Sequence, residues 1–375
     1  MRTPCRSARR RAARSSSFFL GATLCLGGAG QARAQSGSAA IEPLSVHVLA
    51  QPRGADVASD GIHRARLDQP VTLFAAVRVR AGRRRLVISD ATAIRLEGAL
   101  VPARALRRPA QIEAARSWKL RWIKIQPLGA SYDNTAGGFH WDPIRYTEHA
   151  LADFGERWQR AADAHPVPGS GYPDSHGGAG TMAFSVELRN DSGRVWAAPN
   201  SSCRFRGGLC DRVTRVAFRR DDSFLGRLSE LFNTPYIWGS AGVPPSVHQA
   251  ERLIGSDCAD FIVYGARRMG KKLRYRATYH LPEVTRTIAR AKRVDDAGVF
   301  VDARGRPLSI GADAIQPGDV LLFPRHVGAL VADRPPEGVL DANDIMIHTY
   351  WAPPCEQPIS ETAYATSPVR VLRWR

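Results

Sequence analysis

The chain has 375 residues, and its apolar fraction of 44% is ordinary for a globular protein, with enough length to bury two cores. Its formal charge of +18 includes seven Arg and no acid within the first 34 residues, and it falls to +11 without them. A basic chain of this kind suits a polyanionic partner such as a cell-envelope polymer; no nucleic-acid recognition motif accompanies the basicity, so nucleic acid is not the expected partner.

In chain order, Arg2, Arg6, Arg9, Arg10, Arg11 and Arg14 form a positive leader. Phe18 to Ala29 is apolar, and Ala32-Arg33-Ala34 is an A-x-A cleavage signal. The apolar part is too short for a bilayer span. The sequence therefore predicts a signal peptide over 1–34 and a periplasmic or secreted mature protein. Arg9-Arg10-Arg11 is compatible with twin-arginine export. Leu24-Cys25 departs from a lipoprotein signal because Leu24 is large. No later stretch is apolar enough to cross a membrane, so no integral membrane segment is expected after processing.

Four cysteines follow the leader: Cys203, Cys210, Cys258 and Cys355. In an oxidising compartment the short Gly-containing loop between Cys203 and Cys210 favours their pairing. That leaves Cys258 for chemistry. A Cys258–Cys355 bridge would block it, and the sequence leaves that alternative open.

Residues 41–219 read as a β-rich domain of unknown role. Val71, Leu73, Ala75, Val77 and Val79 alternate, as do Met182, Phe184, Val186 and Leu188. Trp118, Leu120 and Trp122 share one phase and Ile123 and Ile125 the other, a slip that suggests a bulge. Leu151, Phe154, Trp158 and Ala161 have helical spacing and predict a helix over 146–162. Pro166 to Gly180 reads as a long loop. The expected architecture is sandwich-like with one helix. His140, His149, His165 and His176 lack the spacing of a metal pair and read as ordinary histidines; no metal and no cofactor are expected.

The pattern changes near residue 222. Asp222 or Ser223 caps a helix with Phe224, Leu225, Leu228, Leu231 and Phe232 on its apolar face. A second helix opens at Cys258, carries Ile262, Ala266 and Met269, and closes at Gly270. A third is expected from Pro282 to Arg293. Strands follow over 299–301, 319–323, 327–332, 345–350 and 369–374. Helices first and antiparallel strands afterwards predict an α+β domain over 222–375.

A thiol attacks a carbonyl as thiolate, and a helix start favours that anion through its free N–H groups. His326, opening a strand, is the expected base, and His348, in a later strand, the group that holds its ring. Asp260, in the first helical turn, would oppose a thiolate nearby. In isolation a helix cysteine is most often a small buried hydrophobe, and it is the joint pattern that points to chemistry.

Taken together, Pro235-Tyr236-Ile237-Trp238-Gly239, Asp257-Cys258, Gly318-Asp319-Val320-Leu321-Leu322-Phe323, His326-Val327-Gly328 and Ile347-His348 resemble the NlpC-type cysteine peptidases of the papain-like superfamily. The resemblance covers residues 222–375. It implies a papain-like fold there, Cys258 as nucleophile, His326 as base, His348 as the orienting residue and Tyr236 as a donor beside the cysteine. It also implies an exported peptidoglycan hydrolase that cleaves an amide bond in cell-wall stem peptides. Ala259-Asp260 replaces the family's usual Ser-Gly, and Gly239-Ser240 its double Gly. These departures leave room for a diverged amidase or acyltransferase on another envelope substrate. A non-catalytic envelope-binding protein is the reading from a different class.

Overall fold

The alternating segments become strands because each carries one apolar face to bury. In the computed structural model, which describes residues 41–241 and 248–375, Ile41–Pro52 pairs antiparallel with Val71–Ala81 in one sheet. Lys119–Pro127, Gly180–Arg189 and Thr214–Arg219 form the middle of another. Val71, Leu73, Ala75, Val77 and Val79 from the first meet Met182, Phe184, Val186 and Leu188 from the second in one buried cluster. This is sheet-on-sheet packing. The expected leader, with Cys25, lies outside the described residues.

Two local expectations fail here for physical reasons. The segment 146–162 is not a helix: Tyr146–Ala150 pairs with Lys119–Pro127, and Gln159–Ala161 pairs with Val71–Ala81. Between them Gly155 exchanges backbone hydrogen bonds with Leu120, and Trp158 stacks on Trp118 at 6.4 Å in the sandwich core. A strand, a bend and a second strand thus reproduce helical spacing, and sheet pairing overrides it. Nor does Lys119–Pro127 carry a bulge, for its register with Gly180–Arg189 is unbroken. Trp122 faces the sandwich core, whereas Ile123 and Ile125 pack on Ile237 and Ile254. Both faces are buried, so both phases are apolar.

After residue 220, Ser223 caps the helix Phe224–Leu228 by accepting the Gly226 N–H at 3.0 Å. Asp257 caps Cys258–Arg268 in the same way, accepting the Asp260 N–H at 2.8 Å. The two helices meet at Gly265, where an added Cβ would lie 2.6 Å from Leu228 Cδ2 and 2.7 Å from Phe224 Cε2. Gly265→Leu is expected to lower unfolding free energy by about 1–3 kcal/mol, the usual cost of overpacking, read as a lower urea midpoint at unchanged slope.

Helix Cys258–Arg268 lies against a six-stranded antiparallel sheet in the order Thr285–Ala291, Val369–Trp374, Val320–Phe323, His326–Ala332, Ile345–His348, Cys355–Pro358. Ile262 and Val263 pack on Val320, Val327, Ala329 and Ile347. The opposite face of the sheet buries Phe300, Leu321, Leu330 and Met346.

The expected papain-like α+β fold, helices first and sheet after, is overturned. The described residues are mostly β, 41% strand against 12% helix, with four α-helices among them and a mixed, curled sheet. The helix expected over 282–293 is one turn, Leu281–Val284, followed by the strand Thr285–Ala291. Thr285, Thr287 and Ile288 are β-branched, and pairing with Val369–Trp374 decides their conformation.

The described residues from Ile41 to Arg375 pack as one compact unit. The join near residue 220 is crossed by parallel pairing of Ser131–Asp133 with Tyr236–Trp238, and by Ala179 and Ala217 packing into the cluster beneath Cys258. Among the described residues no helix is long and apolar enough to cross a membrane.

Candidate active site

The site forms where the helix start meets the sheet. Cys258 is the first residue of its helix and is 2% exposed. The backbone N–H groups of Val327, Ala259 and Cys258 itself lie near enough to the sulfur to favour its anion. Val327 follows His326 on the strand His326–Ala332 and packs in the same cluster as Cys258. The turn Phe323-Pro324-Arg325-His326 is tight: Phe323 and His326 are register partners, and Arg325 adopts φ 66°. A side chain in this left-handed region is uncommon, and the turn fixes His326 as the first residue of its strand. On the same strand Gly328 allows close approach, since a Cβ there would lie 2.7 Å from Met346 Cγ and 2.9 Å from the Ile347 carbonyl.

His326 Nε2 and His348 Nδ1 are 2.9 Å apart, and both rings are buried. Gln357, on the next strand, donates from its amide nitrogen to His348 Nε2 at 3.1 Å. Tyr364 stacks on His326 with centroids 4.6 Å apart, and Tyr350 meets it edge-on at 5.1 Å. His326 Nδ1 is buried without a hydrogen-bond partner. Burial, followed by the neighbouring His348, pulls the His326 pKa down to about 2, and burial alone pulls His348 to about 4. Both rings are therefore neutral at physiological pH, with one open nitrogen available at His326.

The sulfur is not the stabilised thiolate that a helix start implies. Burial, and then the charge of Asp257, push the Cys258 thiol up to about 12, outweighing the three N–H groups. The resting site thus holds a neutral thiol and two neutral imidazoles. Cys355 is also pushed up, to about 11, by burial and then by Glu356 and Glu361. Alkylation of Cys258 by iodoacetamide at neutral pH should be slower in the folded protein than in urea. The folded rate should rise about tenfold per pH unit through the alkaline range, since the thiolate fraction limits it. A rate that levels off at neutral pH would show a thiolate already formed.

Asp260 accepts from Ser240 Oγ at 2.9 Å and meets His248 Nδ1 at 3.0 Å, with Arg267 at 3.8 Å. Its charge is held by these partners on the side of the helix, rather than opposing the thiol unanswered. Burial, and then Asp260, raise Asp257 to about 7. Tyr275 donates to Asp257 Oδ2 at 3.4 Å.

Tyr236 is fully buried, and its hydroxyl has no partner. Burial and then the Cys258 charge raise its pKa, so it stays a proton donor. Trp351 packs on it at 5.1 Å, and Trp351 in turn stacks on Trp238 at 6.3 Å. Cys258 opens into a cleft of about 550 Å³ lined by Thr135, Trp238, Tyr275, Tyr279 and Arg325. Thr135 comes from the β-rich part, so that part supplies one wall.

The structure thus brings His326 into contact with His348, and Tyr236 near enough to Cys258 for its charge to act on the hydroxyl. Sequence reading missed Gln357, Tyr350, Tyr364 and Tyr275. The i, i+2 placement of Cys355 and Gln357 on one strand was the available signal for Gln357. Among the described residues no cluster of His, Cys, Asp or Glu has the makings of a metal site. The cysteines 203 and 210 are disulfide-bonded, and Cys258 and Cys355 are free thiols. Comparison with protein-family models, curated proteins and solved structures finds no match to this chain.

Proposed function

We propose that the chain is a cysteine hydrolase that acts outside the cytoplasm on an amide bond of peptidoglycan stem peptides. The observation that carries this is the 2.9 Å His326–His348 contact behind a cysteine at a helix start. The Cys258 proton passes to His326 Nδ1 as the sulfur attacks the amide carbonyl. Tyr236 O–H and the Cys258 N–H hold the oxyanion. His326 then protonates the leaving amine, the C–N bond breaks, and water releases the acyl group from sulfur. The Cys203–Cys210 disulfide supports an oxidising compartment, and the positive charge suits an anionic wall. The NlpC-type resemblance of the short motifs supports the substrate class, independently of fold.

A second reading has its own support. Trp238, Tyr275, Tyr279 and Ala277 make the cleft wall largely apolar, which favours an acyl group over a charged peptide. The alternative is an amidase or acyltransferase on another envelope substrate. Mass spectrometry of purified cell-wall fragments after incubation with the enzyme separates the two. New amine and carboxyl termini in the stem peptide support the first, and an intact stem peptide with altered acyl groups supports the second. A thiol-reactive probe that fails to label Cys258 under any condition would favour a binding protein without catalysis.

A further inference from the structure

We propose that Gln357 is a positioning residue that sets the tautomers of His348 and His326, and so decides whether His326 can accept the Cys258 proton. The inference rests on the reading of His326 as the base. A neutral imidazole has one N–H and one acceptor nitrogen, so a chain of two rings propagates whatever bond is made at its end.

With the Gln357 amide nitrogen on His348 Nε2, that nitrogen accepts. The His348 proton is then on Nδ1 and is donated to His326 Nε2. His326 in turn carries its only proton on Nδ1, the nitrogen left open. In this state the ring can donate a proton but cannot take one. A half-turn of the Gln357 amide reverses every bond. Its oxygen accepts from His348 Nε2–H, His348 Nδ1 accepts from His326 Nε2–H, and His326 Nδ1 becomes a base. No heavy atom of either ring needs to move.

The Cys355 thiol, 3.9 Å from Gln357 Oε1, donates to that oxygen and favours the first state. Cys355 and Gln357 lie on the edge strand Cys355–Pro358, where both side chains are half-buried and an amide can turn. His348 is held more firmly, in register with Cys355 and buried. The amide is therefore the movable end of the relay.

Substitution by an obligate acceptor tests the idea. In Gln357→Glu the carboxylate only accepts, so both histidines are expected to carry their proton on Nε2. Nitrogen NMR of histidine-labelled Cys258→Ala protein at neutral pH reads the tautomer of each ring without any substrate. In the Gln357 parent both rings are expected as Nδ1–H, and in Gln357→Glu both invert together. Gln357→Leu, which has no preference to impose, should give mixed tautomers. Unchanged tautomers in Gln357→Glu, inversion of only one ring, or parent-like tautomers in Gln357→Leu would overturn the relay. Because the rings are read without turnover, failure to find a hydrolysed substrate leaves this test intact.

Discussion

Cys258→Ala is expected to reduce stem-peptide cleavage to background, a loss of at least about a thousandfold, while the protein keeps its fold. Every step of the proposed reaction runs through the sulfur, whereas the fold uses it only as a small buried group of the cluster beneath the sheet. Removing one sulfur leaves a cavity worth about 1 kcal/mol, small against global stability. His348→Ala should be gentler, lowering turnover by about a hundredfold, because His326 then loses the partner that orients its ring but keeps its open nitrogen. Tyr236→Phe removes the buried hydroxyl and no other contact, so it should lower kcat with little change in KM if the hydroxyl meets the oxyanion. Product masses and circular dichroism spectra from the three variants check these outcomes. Fragments that persist in Cys258→Ala would exclude the mechanism.

The candidate site was more legible than the fold that carries it. A cysteine after a capping aspartate, a histidine after a tight Pro-containing turn and a second histidine ending a strand are local signals, and the chain's order survives folding. The groups around them were silent. Tyr364 reaches His326 from the connection between Cys355–Pro358 and Val369–Trp374, and Gln357 reaches His348 only because Ile345–His348 and Cys355–Pro358 pair. An amide or a tyrosine carries no spacing signature, so only pairing reveals it. The thiol pKa was misjudged because a helix start was visible in sequence whereas complete burial was not.

The fold was legible where one face of a strand is buried, as at 71–81 and 180–189, and illegible where pairing overrode local spacing. Leu151, Phe154 and Trp158 recur as on a helix, yet Trp158 fills the sandwich core and Phe154 lies beneath Arg121 and Arg189, whose guanidinium carbons stand 4.7 and 4.3 Å from its ring. The papain-like expectation erred in the same way over 285–291, where a strand partner more than 75 residues downstream decided the structure. Likewise the close union of the two parts of the chain rests on long-range polar contacts that no motif announces.

Of those contacts, Glu230 is expected to matter most to stability. Its side chain is fully buried, and Arg268 donates to both carboxylate oxygens, at 3.0 and 3.2 Å. Arg64, Arg219 and Arg227 stand at 3.5, 3.6 and 3.7 Å, and the Tyr264 hydroxyl donates to it directly. Arg64 and Arg219 come from the sandwich, Arg227 from the first helix, and Arg268 from the end of the helix that Cys258 begins. One carboxylate thus ties three structural regions together. Glu230→Ala leaves four guanidinium groups facing one another and the Tyr264 hydroxyl, which still accepts from Arg64 at 3.3 Å, without an acceptor for its proton. Removing one member of such a buried cluster costs about 3–5 kcal/mol, whereas water and salt screen the exposed Lys119–Glu156 pair to little net effect. Urea unfolding should therefore show a large fall in midpoint for Glu230→Ala, a smaller one for the isosteric Glu230→Gln, and almost none for Glu156→Ala. Because Arg268 ends the helix that positions Cys258, the Glu230 variants should also expose Cys258 to alkylation at urea concentrations below the global transition. Equal midpoints for Glu230→Ala and Glu156→Ala would mean that the four arginines find sufficient water and other acceptors, Asp222 among them, to make the buried carboxylate dispensable.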